Sequence, residues 1–265
     1  MSNADTSQDI VTTIQRNIET WLGIDWESLR SCKSDGKGGR FDQVRRLIDR
    51  CDKLHAPELA EWCSALPLEW TAKGKDAGQK TWCLRTDPKP FSGPTGEVAL
   101  EREFVGAANK GWWIQTPTAS GFNVRGARKR SIDLVWESRP SEFRFIELKC
   151  NPRTNNPIYA AAELIEYGIF YWIIRSRADL REKLCKDSGR LLEASAVEFS
   201  VLAPQSYYDQ SLPSPEHKRK LITLGKRISE GFESLSNDVR MNFVFMVFDD
   251  GGSSARQRLE GAKPL

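Results

Sequence analysis

The sequence predicts a mixed α/β (α+β) protein, one sheet flanked by helices, and three observations lead there. Between Ser131 and Lys149, β-branched and aromatic residues alternate or cluster around single acidic positions, in two runs parted by the turn signal Arg139-Pro140-Ser141-Glu142. Residues 96–108 carry apolar side chains at helical spacing. Asn156-Pro157 then introduces a long apolar run, proline being tolerated in the first turn of a helix.

Taken in chain order, residues 1–90 read as a helical extension. Ile10, Ile14, Ile18, Trp21 and Leu22 recur at helical spacing, as do Phe41, Val44, Leu47, Ile48, Cys51 and Leu54. A third helix is expected from Pro57 through Leu59, Trp62 and Cys63, ending before Pro67. The proline- and glycine-rich stretch at 88–96 marks the boundary with a second domain, 91–265. That domain opens with the 96–108 helix, where Val98, Leu100, Phe104, Val105 and Ala108 form one apolar face. A short strand, Gly111 to Thr116, leads to the two strands around Asp133 and Glu147. The apolar run Ile158 to roughly Lys183 reads as one core helix, too interrupted by Glu163 and Glu166 for a membrane span. A strand at Val197–Leu202, a basic helix at about His217–Leu235 and a strand at Met241–Phe248 close the order α-β-β-β-α-β-α-β.

Charge stands in unexpected places along this order. Residues two apart on a strand share a face, so Glu147 and Lys149 project together while Leu148 faces the other way. Asp133 lies among Ile132, Leu134 and Trp136 on the strand before. On the 96–108 helix, Glu97 and Glu101 fall inside the apolar stripe, whereas Glu103 points away. Unpaired charge is costly in a core. Two explanations stay open for these residues: ordinary cross-strand ion pairing, or a divalent-metal site with a lysine beside it.

An acid on one strand followed by Glu147-Leu148-Lys149 on the next resembles the signature of the PD-(D/E)xK nuclease superfamily, with Ile132 standing where the signature carries proline. The resemblance implies a restriction-endonuclease-like core of helix, three strands, helix and strand, with a further acid on the first helix. It implies a metal-dependent (deoxyribo)nuclease, an endonuclease acting on DNA in preference to RNA. Asp133, Glu147, Glu101 and, as an alternate, Glu97 would bind Mg²⁺ or Mn²⁺, and Lys149 would act beside them. Glu163 and Tyr167, one turn apart on the long helix, resemble the Q-x-x-x-Y element of some nuclease families, with Glu in place of Gln. They are candidates for supporting the metal ligands from behind, and helical core packing is the stronger explanation for Tyr167. The alternative function is a catalytically inactive nuclease-fold module that binds nucleic acid or a protein partner.

Arg125, Arg128, Lys129 and Arg130 precede the Asp133 strand and are the candidates for holding a nucleic-acid backbone, since such contacts position without reading bases. A second basic run, His217 to Lys220 with Lys226 and Arg227, reads as a solvated face. A net charge of +3 is too small to announce a nucleic-acid binder by itself. The six cysteines form no C-x-x-C pair, and two histidines are too few for a histidine-based zinc site. With no secretory or transmembrane segment in the pattern, free thiols in a reducing cytoplasm are expected. No membrane partner is expected, and a homodimer is compatible with the sequence. The tryptophans, Trp112 and Trp113 included, are expected in the core.

Overall fold

The computed structural model describes residues 10–30, 39–66, 82–84, 96–107, 111–118, 131–150, 156–184, 189–212, 214–235, 238–251 and 255–265. Among the described residues, four helices come first: α1 (Ile10–Leu22), α2 (Trp26–Arg30), α3 (Gly39–Cys51) and α4 (Leu59–Ser64). Then come α5 (Glu97–Ala107), β1 (Trp112–Pro117), β2 (Ser131–Arg139), β3 (Glu142–Leu148), α6 (Pro157–Ser176), α7 (Ala178–Leu184) and α8 (Gly189–Leu192). The remainder is β4 (Ala196–Pro204), α9 (Gln205–Ser211), α10 (Pro215–Glu233), β5 (Arg240–Phe248), α11 (Ala255–Glu260) and β6 (Lys263–Pro264).

Six strands among the described residues form one mixed sheet in sequence order. β1, β2 and β3 are antiparallel neighbours, β3, β4 and β5 run parallel, and β6 returns antiparallel. Parallel neighbours need a long crossover; α6 supplies it between β3 and β4, and α10 between β4 and β5. The mixed α/β class and the order α-β-β-β-α-β-α-β therefore hold, with α7, α8 and α9 inserted as short connectors.

A large hydrophobic cluster lies on one side of the sheet. It joins Phe145, Phe199 and Phe243 to Ile165, Ile169 and Tyr171 of α6, and to Ile228 and Phe232 of α10. Ile14 and Ile18 of α1 and Ile48 of α3 belong to the same cluster, so the N-terminal helices pack directly behind α6 and α10. Trp26 meets Tyr159 edge-on at 5.7 Å, and Gln15 Nε2 donates to Glu166 Oε2 at 3.0 Å. The expected boundary at 88–96 lies, Gly96 apart, outside the described residues. Gly168 of α6 permits a close approach: a Cβ there would overlap the Phe232 ring and stand 3.2 Å from Phe199. On the other side, a smaller cluster packs Phe104 of α5 against Ile114, Leu134, Ile146, Leu148, Leu202, Met246 and Phe248.

α6 starts as its sequence dictates. Asn156 is its N-cap, accepting from Tyr159 N at 2.8 Å while its own Nδ2 donates to Leu29 O at 3.0 Å, and Pro157 follows. The single helix expected to about Lys183 instead breaks at Arg177, whose backbone is extended. There the apolar run ends, and Arg177 O accepts from Leu180 N and Arg181 N, opening α7. The third helix starts at Leu59 rather than Pro57. The strand at 241–248 is not the last element either, since α11 and β6 follow it. Trp113 is buried as expected, but Trp112 is only half-buried, stacked on Trp136 at 5.2 Å with ring planes 7° apart.

Candidate functional site

The register of β2 and β3 determines how the acidic residues meet. Leu134 pairs with Ile146 and Val135 with Phe145, so the next position along sets Asp133 beside Glu147. Phe143 and Phe145 lie in the large cluster, Ile146 and Leu148 in the small one. By alternation Glu147 belongs to the large-cluster side of β3, and Asp133 to the same side as Val135. The two carboxylates therefore share a face of the sheet. Asp133 Oδ2 accepts from the backbone N–H of Leu148 at 2.8 Å, fixing that carboxylate where regular pairing between the strands ends.

Lys149 follows the strand, its backbone N–H donating to Leu202 O at 2.9 Å in continuation of the β3–β4 pairing. Its Nζ donates to Glu147 Oε1 at 2.7 Å. Both residues are nearly enclosed, with relative exposures of 4% and 5%. Glu147 Oε2 is buried and accepts no hydrogen bond. A buried carboxylate oxygen left without a donor is costly, and it is the kind of oxygen a cation satisfies.

α5 brings two more acids. Glu101 is buried inside the apolar stripe, and Gln115 Nε2 donates to its Oε2 at 3.4 Å. Half-buried Glu97, in the first turn of α5, accepts from the backbone N–H of Cys150 at 3.3 Å. Glu103 faces elsewhere, toward Arg258. Glu163 of α6 lies near enough to Lys149 to strengthen its charge, while Tyr167 is buried in the large cluster as core packing.

The electrostatics follow from this concentration of acids. Burial pushes the Glu101 carboxyl up to about 7; Gln115 and Lys149 draw it down, and Glu147 and Glu97 push it further up. Desolvation, then the Glu147 carboxylate beside it, raises Asp133 well above the usual carboxylate range. Burial disfavours the charge on Lys149, but Glu147, Asp133, Glu163 and Glu97 outweigh it and hold the ammonium well above the ordinary lysine range. Among the described residues, Lys149 is thus the cation that stands among these acids.

Asp133, Glu147, Lys149, Glu101, Glu97 and Glu163 are therefore brought together. Among the described residues, no three histidine, cysteine, aspartate or glutamate side chains stand, as placed, in an arrangement that holds a metal ion. Four of the carboxylates already accept hydrogen bonds from the chain: Asp133 from the Leu148 amide, Glu147 Oε1 from Lys149, Glu101 from Gln115 and Glu97 from the Cys150 amide. Arg125, Arg128, Lys129 and Arg130 lie outside the described residues. In the second basic run, Lys218 pairs with Asp209 at 2.6 Å, Arg219 with Glu216 at 2.6 Å, Lys220 with Asp49 at 2.8 Å and Arg227 with Glu230 at 2.8 Å.

Gln115 joins this cluster through Glu101, and strand alternation alone does not single it out. No helix among the described residues is long and apolar enough to cross a membrane. Comparison with family models, with curated proteins and with solved structures returned no match to this chain.

Proposed function

We propose that the chain is a metal-dependent nuclease of restriction-endonuclease-like architecture, hydrolysing phosphodiester bonds of DNA in preference to RNA. The observation that carries this reading is the buried, unpartnered Oε2 of Glu147, set beside Asp133 and near Glu101. A buried structural ion pair is expected to satisfy both carboxylate oxygens. Beside Glu147, burial and then the neighbouring acids raise the Glu101 and Asp133 carboxyls, as functional sites often do. The donor set is all carboxylate, which suits Mg²⁺ or Mn²⁺.

A bound divalent ion supplies a nucleophilic water at neutral pH and neutralises charge on the phosphate. Asp133 and Glu147 would hold it, with Glu101 contributing a further oxygen and Glu97 as the alternate. The chain's own residues do the rest. The Leu148 amide keeps Asp133 oriented. Lys149 aligns Glu147 and presents a compact, fully protonated ammonium to the negative charge that builds on the phosphate. Glu147 and Asp133, with Glu163 and Glu97 behind them, keep that lysine charged.

The test is cleavage of plasmid and linear DNA in Mg²⁺, with chelator and the Asp133→Asn variant as controls. Cleavage that needs the metal and Asp133 supports the proposal; none in Mg²⁺ or Mn²⁺ overturns it. A second reading, an inactive nuclease-fold module, draws on the hydrogen bonds that already occupy Asp133, Glu147, Glu101 and Glu97. Salt-sensitive DNA binding without cleavage would select it.

A further inference from the structure

β1 is irregular at one residue. Ile114 pairs with Leu134 and Thr116 with Ile132, but Gln115 and Asp133 between them form no ladder pair. The backbone of Gln115 has φ +46°, a left-handed conformation that costs a non-glycine residue about 1–2 kcal/mol. Such a residue persists only where its surroundings impose it, and these sites cluster where function needs a side chain re-aimed. Gln115 is exposed, while Ile114, Thr116 and Pro117 around it are buried. Its amide reaches across to α5 and donates to the buried Glu101 at 3.4 Å. The same irregularity therefore lies at the register position of Asp133 and supplies a donor to Glu101.

The geometry points to Gln115 as a positioning residue of the carboxylate site, holding Glu101 toward Asp133 and Glu147. This rests on the metal-site reading above. A neutral amide is suited to the task. It fixes the carboxylate by donating to one oxygen, yet adds no positive charge to compete with a divalent ion as a second lysine would. Sequence alternation alone would leave Gln115 an unremarkable polar strand residue.

Two substitutions in the full chain separate positioning from backbone strain. Gln115→Met keeps side-chain length and removes the donor. Gln115→Gly removes the side chain while accepting φ +46° without strain, so a loss seen in both cannot come from the backbone. Both should weaken Mn²⁺ binding, read by isothermal titration, and lower kcat on a labelled duplex by about 10-fold or more, with KM for DNA within about twofold, as loss of an outer partner of a ligand does. Parental Mn²⁺ affinity and kcat in Gln115→Gly would overturn the inference. A double-mutant cycle of Gln115→Met with Glu101→Leu, followed by thermal unfolding in chelator, is independent of any metal. Non-additive changes are expected, and strictly additive ones overturn the contact. If the parent neither binds Mn²⁺ nor cuts DNA, the nuclease reading falls, while the cycle still decides whether Gln115 holds Glu101.

Discussion

Asp133 Oδ2 and the backbone N–H of Leu148, on adjacent strands, are joined by a hydrogen bond of 2.8 Å. The bond makes one carboxylate both a brace between strands and a member of the acidic cluster. It also gives the two roles different chemical requirements, because an amide oxygen can brace the strands as well as a carboxylate can.

Asp133→Asn should therefore keep the brace and lose the charge. Stability in chelator should stay level or rise, since the carboxyl no longer faces Glu147 in a desolvated setting. Cleavage should fall by about 10²–10³-fold or more, the usual effect of losing one electrostatic contact to the transition state. Asp133→Ala removes the brace too, and an unsatisfied amide costs about 1–3 kcal/mol. Urea unfolding of the two variants side by side checks the difference; equal stabilities would show that the bond carries nothing.

Lys149 tests the buried pair in the opposite sense. Lys149→Met leaves the Glu147 carboxylate enclosed without its cation, and breaking a buried pair costs about 3–5 kcal/mol. Adding Glu147→Gln should recover most of that loss without recovering cleavage. A double variant as unstable as the single one would mean that the pair is not what the substitution disturbs.

The sign of the pH dependence follows from Glu101. Its carboxyl titrates near 7 in the folded chain against an ordinary 4.5, so the folded state binds the extra proton between those values. In chelator, stability is then fully present below pH 4.5 and is lost as pH rises through 7, by about 3 kcal/mol for a difference of that size. Asp133, raised for the same reason, adds to the loss in the same direction. Glu101→Gln should flatten the profile between pH 5 and 8. Mg²⁺ should restore stability at the alkaline end by binding the ionised carboxylates. Denaturant titrations at four or five pH values would decide it, and stability rising with pH across this window would contradict the assignment.

Away from the site, Gly168 sets how closely α6 approaches Phe232 and Phe199. Gly168→Ala should cost about 1–3 kcal/mol by overpacking, despite alanine's better helix propensity. Mn²⁺ affinity should be unchanged once the protein is folded. A stabilised Gly168→Ala, read as a higher Tm, would show that the aromatic rings yield without strain.

Much of this site is legible in the sequence because alternation and helical periodicity are local. Glu147 and Lys149 two apart, Leu148 opposite, and Glu101 inside an apolar stripe can be read without any contact. The break at Arg177 was less visible, since the residues on both sides have helical character. Gln115 was not legible for a different reason. Its φ of +46° is not encoded by alternation or periodicity, and its partner lies 14 positions away. A weak signal did exist: Gln115 is the one amide in Trp112-Trp113-Ile114-Gln115-Thr116-Pro117. It acquires meaning only when the β1–β2 register sets it opposite Asp133. α11 and β6 were missed because six and two residues carry too little periodicity to read.

The basic segment preceding β2 bears on how DNA would be held. Arg125, Arg128, Lys129 and Arg130 stand between eight and three positions before Asp133, whereas four residues of the α10 run, Lys218, Arg219, Lys220 and Arg227, already pair with acids. Contacts to phosphate release counterions, each adding about −0.9 to the slope of log K against log salt on duplex DNA. Neutralising all four residues should flatten that slope by up to about three to four units and weaken all sequences alike. The measurement is titration of a labelled duplex at several salt concentrations in Ca²⁺, to separate binding from cleavage. An unchanged slope would remove this segment from the interface. Because α10 would have to break ion pairs to reach phosphate, neutralising Lys218 and Lys220 should change the slope by less than the four residues before β2 do.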